Sequence, residues 1–280
     1  MSQTISASDW ATERGKKWRD QLSGMEAMIH PVTAPLVDAL ALDRPLRVAD
    51  IGCGGGGPTL AISRLAAAGS AVHGIDISPD LIEMARARAN TASGEIAFHV
   101  ANVESASPPC APYDRLASRF GIMFFDNPPV AFSNLASWLV PGGRITFAVW
   151  GPPANNPWMT SFREVASQVV EVPPPDSDAP GPFRYAGGDT LLGLLAAAGF
   201  DDLEVQHWRD TISLAGGLPA DETANFALQS FSIGDALAKA DEAALAAVRH
   251  LLIQRYAEHE RDGAVRMDAH VHIVTGVRAA

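Results

Sequence analysis

Leu46–Ser63 reads LRVADIGCGGGGPTLAIS. It comprises a short apolar strand closing at Asp50, a glycine loop, and a helix opening at Pro58. Gly52, Gly54, Gly55, Gly56 and Gly57 remove every Cβ around the turn, so a ligand can lie directly against backbone N–H groups. Pro58 suits the first helical position, because the N–H it lacks has no partner there anyway. A strand, glycine loop and helix in this order form the nucleotide-binding end of a doubly wound α/β sheet.

Outward from this unit the chain alternates. Ala71–Ile75 is a second strand ending at Asp76, and Ser78 with Pro79 opens a helix running to about Asn90. Glu95–Val100 is a third strand ending at Asn102. Tyr113–Ser118 is a fourth, closing at Ser118-Arg119-Phe120-Gly121. A helix from about Pro129 to Leu139 leads through a Pro141-Gly142-Gly143 turn into a fifth strand, Arg144–Trp150. Short apolar strands separated by helices predict a mostly parallel Rossmann-like α/β sheet covered on both faces. Leu203–Arg209 and His270–Val277 bring the predicted strands to seven, the last antiparallel and at the sheet edge.

The flanks read differently. Residues 8–22 and a stretch from Pro31 to about Leu42 are predicted helices. Residues 1–45 are therefore expected to form a helical cap on a domain spanning 46–280. Val172–Pro182 carries five prolines and reads as a stiff extended loop. Residues about 216–262 are alanine-rich and helical, an insertion before the last strand. These helical extensions also offer a surface for a homo-oligomer.

Bulk composition narrows the class. The 280 residues carry a formal net charge of −11, which argues against a nucleic-acid partner. A 47% hydrophobic and 19% charged chain buries an ordinary globular core. With only Cys53 and Cys110, the sequence offers neither a disulfide framework nor a metal-type cysteine spacing, and no metal is expected. The polar N-terminal segment carries no signal core and no stretch reaches membrane-span length. A cytoplasmic protein with no membrane partner is the expectation.

In an open α/β sheet the ligand sits at the carboxyl ends of the strands. Those ends supply Asp50 with the glycine loop, Asp76, Asn102 and Ser118. Asp76 can accept both ribose hydroxyls, Asn102 can read an adenine edge, and the loop amides can face a carboxylate or phosphate. Gly52, Gly54 and Gly57 fit a dinucleotide G-x-G-x-x-G pattern, although a run this rich in glycine fits many patterns. Asp50 argues the other way. A carboxylate there repels a pyrophosphate and attracts an ammonium or sulfonium group. S-adenosyl-L-methionine carries both cations and no phosphate.

Asp50-x-Gly52-x-Gly54-x-Gly56, Gly74-Ile75-Asp76-Ile77-Ser78, Ala101-Asn102-Val103 and Pro141-Gly142-Gly143-Arg144 together resemble the motif set of class I S-adenosylmethionine-dependent methyltransferases. The similarity is to the bacterial small-molecule group that is like quinone-biosynthesis methyltransferases. It covers about residues 46–151. It implies Asp50 facing the methionine amino group, Gly52 and Cys53 beneath it, Asp76 on the ribose, Ile77 packed on the adenine, and Asn102 with Val103 at its edge. Gly54, Gly56 and Ser118 complete the implied cofactor set. The segment SRFGIMFFDNPP after the fourth strand lacks the glycine- and asparagine-rich run of quinone C-methyltransferases, which argues against a quinone head group.

Methyl transfer from a sulfonium needs an in-line nucleophile and exclusion of water. A base is needed only for a protonated acceptor. His30, His73, His99, His207 and His259 are the candidates, and His30, just before the core, is the one placed to reach the site. Cys53 reads as a small loop residue and not as a nucleophile. Trp10, Trp18, Phe120, Met123 and Trp150 are the expected acceptor pocket, and such an aromatic set suits a flat apolar small molecule. Two rivals remain at this level: the same fold working with another cofactor, as in tetrahydrofolate-dependent transfer or dehalogenation, and a nicotinamide oxidoreductase.

Overall fold

The computed structural model describes residues 7–89, 95–110, 112–174, 176, 178–237 and 240–279. In chain order the helices before the sheet are α1 (Ala7–Ala11), α2 (Glu13–Asp20), α3 (Leu22–Ile29) and α4 (Thr33–Ala39). The alternating part follows: β1 (Arg47–Ile51), α5 (Gly57–Leu65), β2 (Ala71–Asp76), α6 (Pro79–Ala89), β3 (Glu95–Val100), β4 (Tyr113–Arg119), α7 (Pro128–Trp138) and β5 (Leu139–Trp150). Then come α8 (Pro157–Ala166), α9 (Asp189–Ala197), β6 (Phe200–Ser213), α10 (Ala220–Ser230), α11 (Ser232–Leu237), α12 (Glu242–Ala257), β7 (Glu260–Arg261) and β8 (Ala264–Arg278).

The sheet order is β3-β2-β1-β4-β5-β8-β6, with β7 paired to β8. The strands from β3 to β5 are parallel, and β8 runs antiparallel to both β5 and β6. The expectation of a last strand at the edge is corrected: β8 lies inside, and β6 takes the edge. Burial supplies the reason, since β8 carries a continuous buried run from Ala269 to Thr275 while β6 is mostly exposed. A strand buried on both faces reads as an unbroken apolar run, and Val271, Ile273 and Val274 supply it.

Three further differences have local causes. The predicted helix over 8–22 is broken into α1 and α2, and α3 follows it. The spacing of Met25, Met28 and Ile29, all buried, is that of one helical face. The Pro141-Gly142-Gly143 turn becomes a bulge within β5, where Tyr113 pairs Leu139 but Arg115 pairs Arg144. Gly142 has φ +74 there, a conformation open to glycine at little cost. The added strand β7 forms a hairpin with β8 across Asp262-Gly263, both at positive φ, the Asp-Gly signature of a two-residue hairpin turn. Residues 1–6 of the expected cap, Asn90, Pro175 and Ser177 of the predicted segments, and Ala238 and Lys239 of the expected insertion lie outside the described residues.

The core sits on both sheet faces. Val48, Ile62, Val72 and Ala117 pack with Val37 and Leu40 of α4 on one side. Ala49, Ile51, Leu116, Phe147 and Phe132 join the larger cluster that runs into α3, α8 and the α10–α12 helices. A fully buried side chain of this size contributes about 1.5–3 kcal/mol, and α3 buries Leu22, Met25, Met28 and Ile29.

Candidate active site

A cavity opens where β1, β2 and β4 end, and α2, α3 and the segment around α10 close over it. One side of it begins at the glycine loop. Gly52 and Cys53 donate to the Ile75 carbonyl at 2.8 and 3.1 Å, which pins the loop against β2. Gly52 (φ +65) cannot take a Cβ, which would sit 2.8 Å from the Gly121 Cα, so two glycines let the β1 and β4 ends approach each other. Gly54 (φ +53) faces open space, its nearest neighbour being the Trp18 ring nitrogen.

Asp76 is buried at the end of β2. Its oxygens accept from Gly54 N at 2.8 Å and Ser78 N at 2.9 Å. Burial raises its pKa, and these backbone donors oppose the rise. Each carboxylate oxygen keeps a lone pair for a ligand hydroxyl. Asn102 turns its side-chain oxygen to Glu104 N at 2.9 Å and holds the turn after β3. Gly52, Cys53, Gly54, Asp76, Ile77, Asn102 and Val103 all line the cavity.

Four of the residues singled out from the sequence do not line it. Asp50 is fully buried behind the loop; its Oδ2 accepts from Thr59 Oγ1 at 2.6 Å, and its Oδ1 has no partner. Burial pushes its pKa up to about 7, against the Thr59 hydrogen bond and the Arg119 charge. Gly56 (φ +81) packs on Phe98 and Ala85. Ser118 donates to the Ile51 carbonyl at 2.7 Å and accepts from Gly121 N, tying β1 to β4. His30 is exposed in a short 3-10 turn, His30–Val32. The Cys53 thiol packs with Ile82, Ala85 and Phe98, and burial raises its pKa well above the usual thiol value.

The other end is aromatic. Phe120 stacks on Trp150 with centroids 4.2 Å apart and planes 9° apart; Trp150 meets Trp158 at 4.8 Å, and Trp158 meets Phe231 at 5.2 Å. Phe120 itself holds φ +66, a strained setting for a bulky residue. Trp10 touches Trp18 and Phe124 across the mouth. Trp10, Trp18, Phe120, Met123 and Trp150 all line the cavity.

Between the two ends lies an ion pair that the motif reading did not single out. Arg119 Nη2 meets Glu26 Oε2 at 3.1 Å, with side chains 3% and 15% exposed. Arg119 also donates to Thr33 Oγ1 at 2.5 Å. The Glu26 carboxylate rests on the N-terminus of α5, where a Cβ on Gly57 would fall 2.2 Å from it. A charged residue directly after an apolar strand, as in Ser118-Arg119-Phe120, was the available signal for Arg119. Glu26 required knowing where α3 docks.

Comparisons with known proteins bear on the family of the sheet domain. Residues 48–143 match the family described as a methyltransferase domain. An O-methyltransferase, rstn1, from Aspergillus nomiae is 29% identical over 198 residues, covering 68% of this chain and 80% of that protein. The aklanonic acid methyltransferase DauC from Streptomyces is 34% identical over 119 residues, 42% of this chain and 54% of that one. Residues 48–143 form a methyltransferase domain. YcgJ from Bacillus subtilis superposes with a TM-score of 0.57 at 17% identity, over 90% of this chain and 99% of that chain, and shares the fold. No described helix is long and apolar enough to cross a membrane.

Proposed function

We propose that this methyltransferase acts on a flat, largely apolar small molecule, bound at the Phe120–Trp150–Trp158–Phe231 end of the cavity. The observation that carries the reading is the polarity gradient along one cavity: backbone-held Asp76 and the glycine loop at one end, stacked aromatic rings at the other. S-adenosyl-L-methionine supplies an activated methyl on a sulfonium, which passes in line to a nucleophile and leaves a neutral thioether.

The chain's own residues suit that donor. Asp76 accepts the ribose hydroxyls, Asn102 and Val103 border the base, and Ile77 supplies an apolar face. Arg119 and Glu26, oppositely charged at the loop end, complement the carboxylate and ammonium of a methionine moiety. The unpartnered Asp50 Oδ1 lies behind the loop near them and adds negative charge when its carboxyl is ionised. A pyrophosphate would instead meet Glu26 on the very helix terminus it needs, which disfavours a nicotinamide dinucleotide.

No histidine lines the cavity among the described residues. An acceptor whose oxygen or carbon ionises readily, such as an acidic phenol or enol, therefore fits without a dedicated base. The packed rings at the acceptor end exclude the water that would compete with it.

The test is a calorimetric titration with S-adenosylhomocysteine, NAD and tetrahydrofolate, followed by a screen of phenols, enols, amines and quinones for methylated product. Saturable binding of S-adenosylhomocysteine alone, with product from acidic aromatic acceptors, supports the reading. Binding of either other cofactor in its place overturns it. Product confined to alkyl amines would overturn the acceptor class alone.

A further inference from the structure

A second cluster lies outside the methyltransferase cavity. His207 on β6 pairs in register with His272 on β8, and His270 stands two residues earlier on β8. Residues two apart on a strand share a face, so the three imidazoles converge. Their ring centroids are 5.1, 5.0 and 4.9 Å apart, and one ring nitrogen from each lies within 4.8 Å of the others. None of the three lines the cofactor cavity.

Proton sharing between rings accounts for only part of this arrangement. His207 Nδ1 and His270 Nε2 are 3.0 Å apart and can share one proton. His272 is 4% exposed, yet its Nδ1 has no hydrogen-bond partner. An unpartnered buried nitrogen costs roughly 1–3 kcal/mol, and a cation among the three rings would remove that cost. Tetrahedral zinc with Zn–N bonds of about 2.0–2.1 Å separates its ligand nitrogens by roughly 3.3–3.4 Å; here His207 Nδ1 and His270 Nε2 stand 3.0 Å apart and all three nitrogens lie within 4.8 Å, so small ring rotations close the set on an ion.

The surroundings also fit a metal. Gly151 leaves room for the His270 ring, since a Cβ there would fall 2.7 Å from Nδ1. Asn155 Nδ2 lies 3.4 Å from the same Nδ1; with Nε2 on a metal, a flip of the Asn155 amide puts its oxygen there to accept the Nδ1–H, the outer partner metal-bound imidazoles usually have. His207 is exposed while the other two are buried, so a fourth position opens toward solvent.

We propose that His207, His270 and His272 form a three-histidine site for a zinc-type divalent cation, spanning β6 and β8. Three imidazoles with one open position suit Zn²⁺ and do not suit the oxygen-seeking Mg²⁺ or Ca²⁺. The site is joined to the acceptor end through Asn156. Its Oδ1 accepts from His270 N at 3.0 Å and from Trp158 Nε1 at 3.3 Å.

The test uses untagged, chelator-treated full-length protein titrated with Zn²⁺ alone by calorimetry. One zinc per chain is expected. His207→Ala, at an exposed edge-strand position, should weaken binding by roughly tenfold or more, as should His272→Asn. His250→Ala, on the exposed face of α12, should change nothing. Co²⁺ should give tetrahedral d–d absorption in the parent protein and lose it in His207→Ala. Retained S-adenosylhomocysteine binding shows that each variant is folded. Equal zinc affinity in the parent and His207→Ala, or no saturable zinc uptake by the parent, overturns the site.

Discussion

At the glycine-loop end of the cavity, the lining is main chain or is clamped by it: the loop pinned to the Ile75 carbonyl, and Asp76 held by Gly54 N and Ser78 N. At the acceptor end they are side chains delivered by segments far apart in the chain: Trp10 from α1, Phe120 after β4, Trp158 from α8 and Phe231 beyond α10. A backbone-built surface depends on loop geometry and tolerates little change. A side-chain-built one can be reshaped one ring at a time. With the donor and acceptor placed as proposed, the donor is held by the part of the fold that cannot drift and the acceptor by the part that can.

The largest effect is expected where the two ends meet. Arg119→Ala leaves Glu26 buried without its cation, and breaking such a pair costs about 3–5 kcal/mol. Glu26 keeps some solvent exposure, so the lower figure is expected, read by urea denaturation. Stability unchanged within error would show that the two ends are not held together by this pair.

Asp76→Ala should weaken S-adenosylhomocysteine binding by more than roughly tenfold, about 1.4 kcal/mol, measured by calorimetry. Unchanged affinity would move the ribose elsewhere and remove the distinction between the two ends.

Asp50 gives a pH signature. Its pKa is about 7 in the fold against an ordinary value of 3.8, so the folded state holds its proton where the unfolded state has lost it. Its contribution to stability is full below pH 4 and declines as pH rises through 7. Asp50→Asn should flatten this decline, by about 2 kcal/mol between pH 5 and 8, in denaturation curves of the ligand-free protein. If the ammonium of the donor pairs with Asp50, S-adenosylhomocysteine affinity in the parent also rises with pH up to about 7. An identical pH slope in the variant would assign the titration to another group.

Trp10→Ala should raise the KM of an aromatic acceptor severalfold, in keeping with about 0.5–1.5 kcal/mol per aromatic pair. S-adenosylhomocysteine affinity should stay within about twofold, since Trp10 contacts Trp18 and Phe124 at the mouth. Equal losses at both ends would make the mouth a shared element. The smallest effect belongs to His30→Ala. The residue is exposed and outside the cavity, so kcat should be unchanged; a large loss would restore it as a base.

The same contrast explains what could be read from the sequence. The βα alternation, the loop and the strand-end Asp76 and Asn102 are local signals, each set within a few residues by glycine, proline and apolar runs. The position of β8 is not local, because pairing across a crossover leaves no mark in the strand beyond its length and burial. Ser118 and Gly56 sit at the right strand and loop, but the Ser118 hydroxyl turns to the Ile51 carbonyl and the Gly56 main chain packs against Phe98. Met25, Met28 and Ile29 had the helical period that marks α3. That α3 would bring Glu26 onto α5 depends on docking, which period alone does not reveal.

The interior place of β8 also sets an order of assembly. β6 joins the sheet only through β8, and β8 comes after β6 and the whole α10–α12 segment in the chain. During synthesis, which proceeds from the N-terminal side, β1 to β5 can pair while β6 has no partner and the free side of β5 stays open. An unpaired strand edge is a template for association with another chain. A ribosome-bound or truncated product ending before Ala264 therefore presents two open edges, and the late, long-range arrival of β8 is the step at which chaperone dependence and aggregation should concentrate.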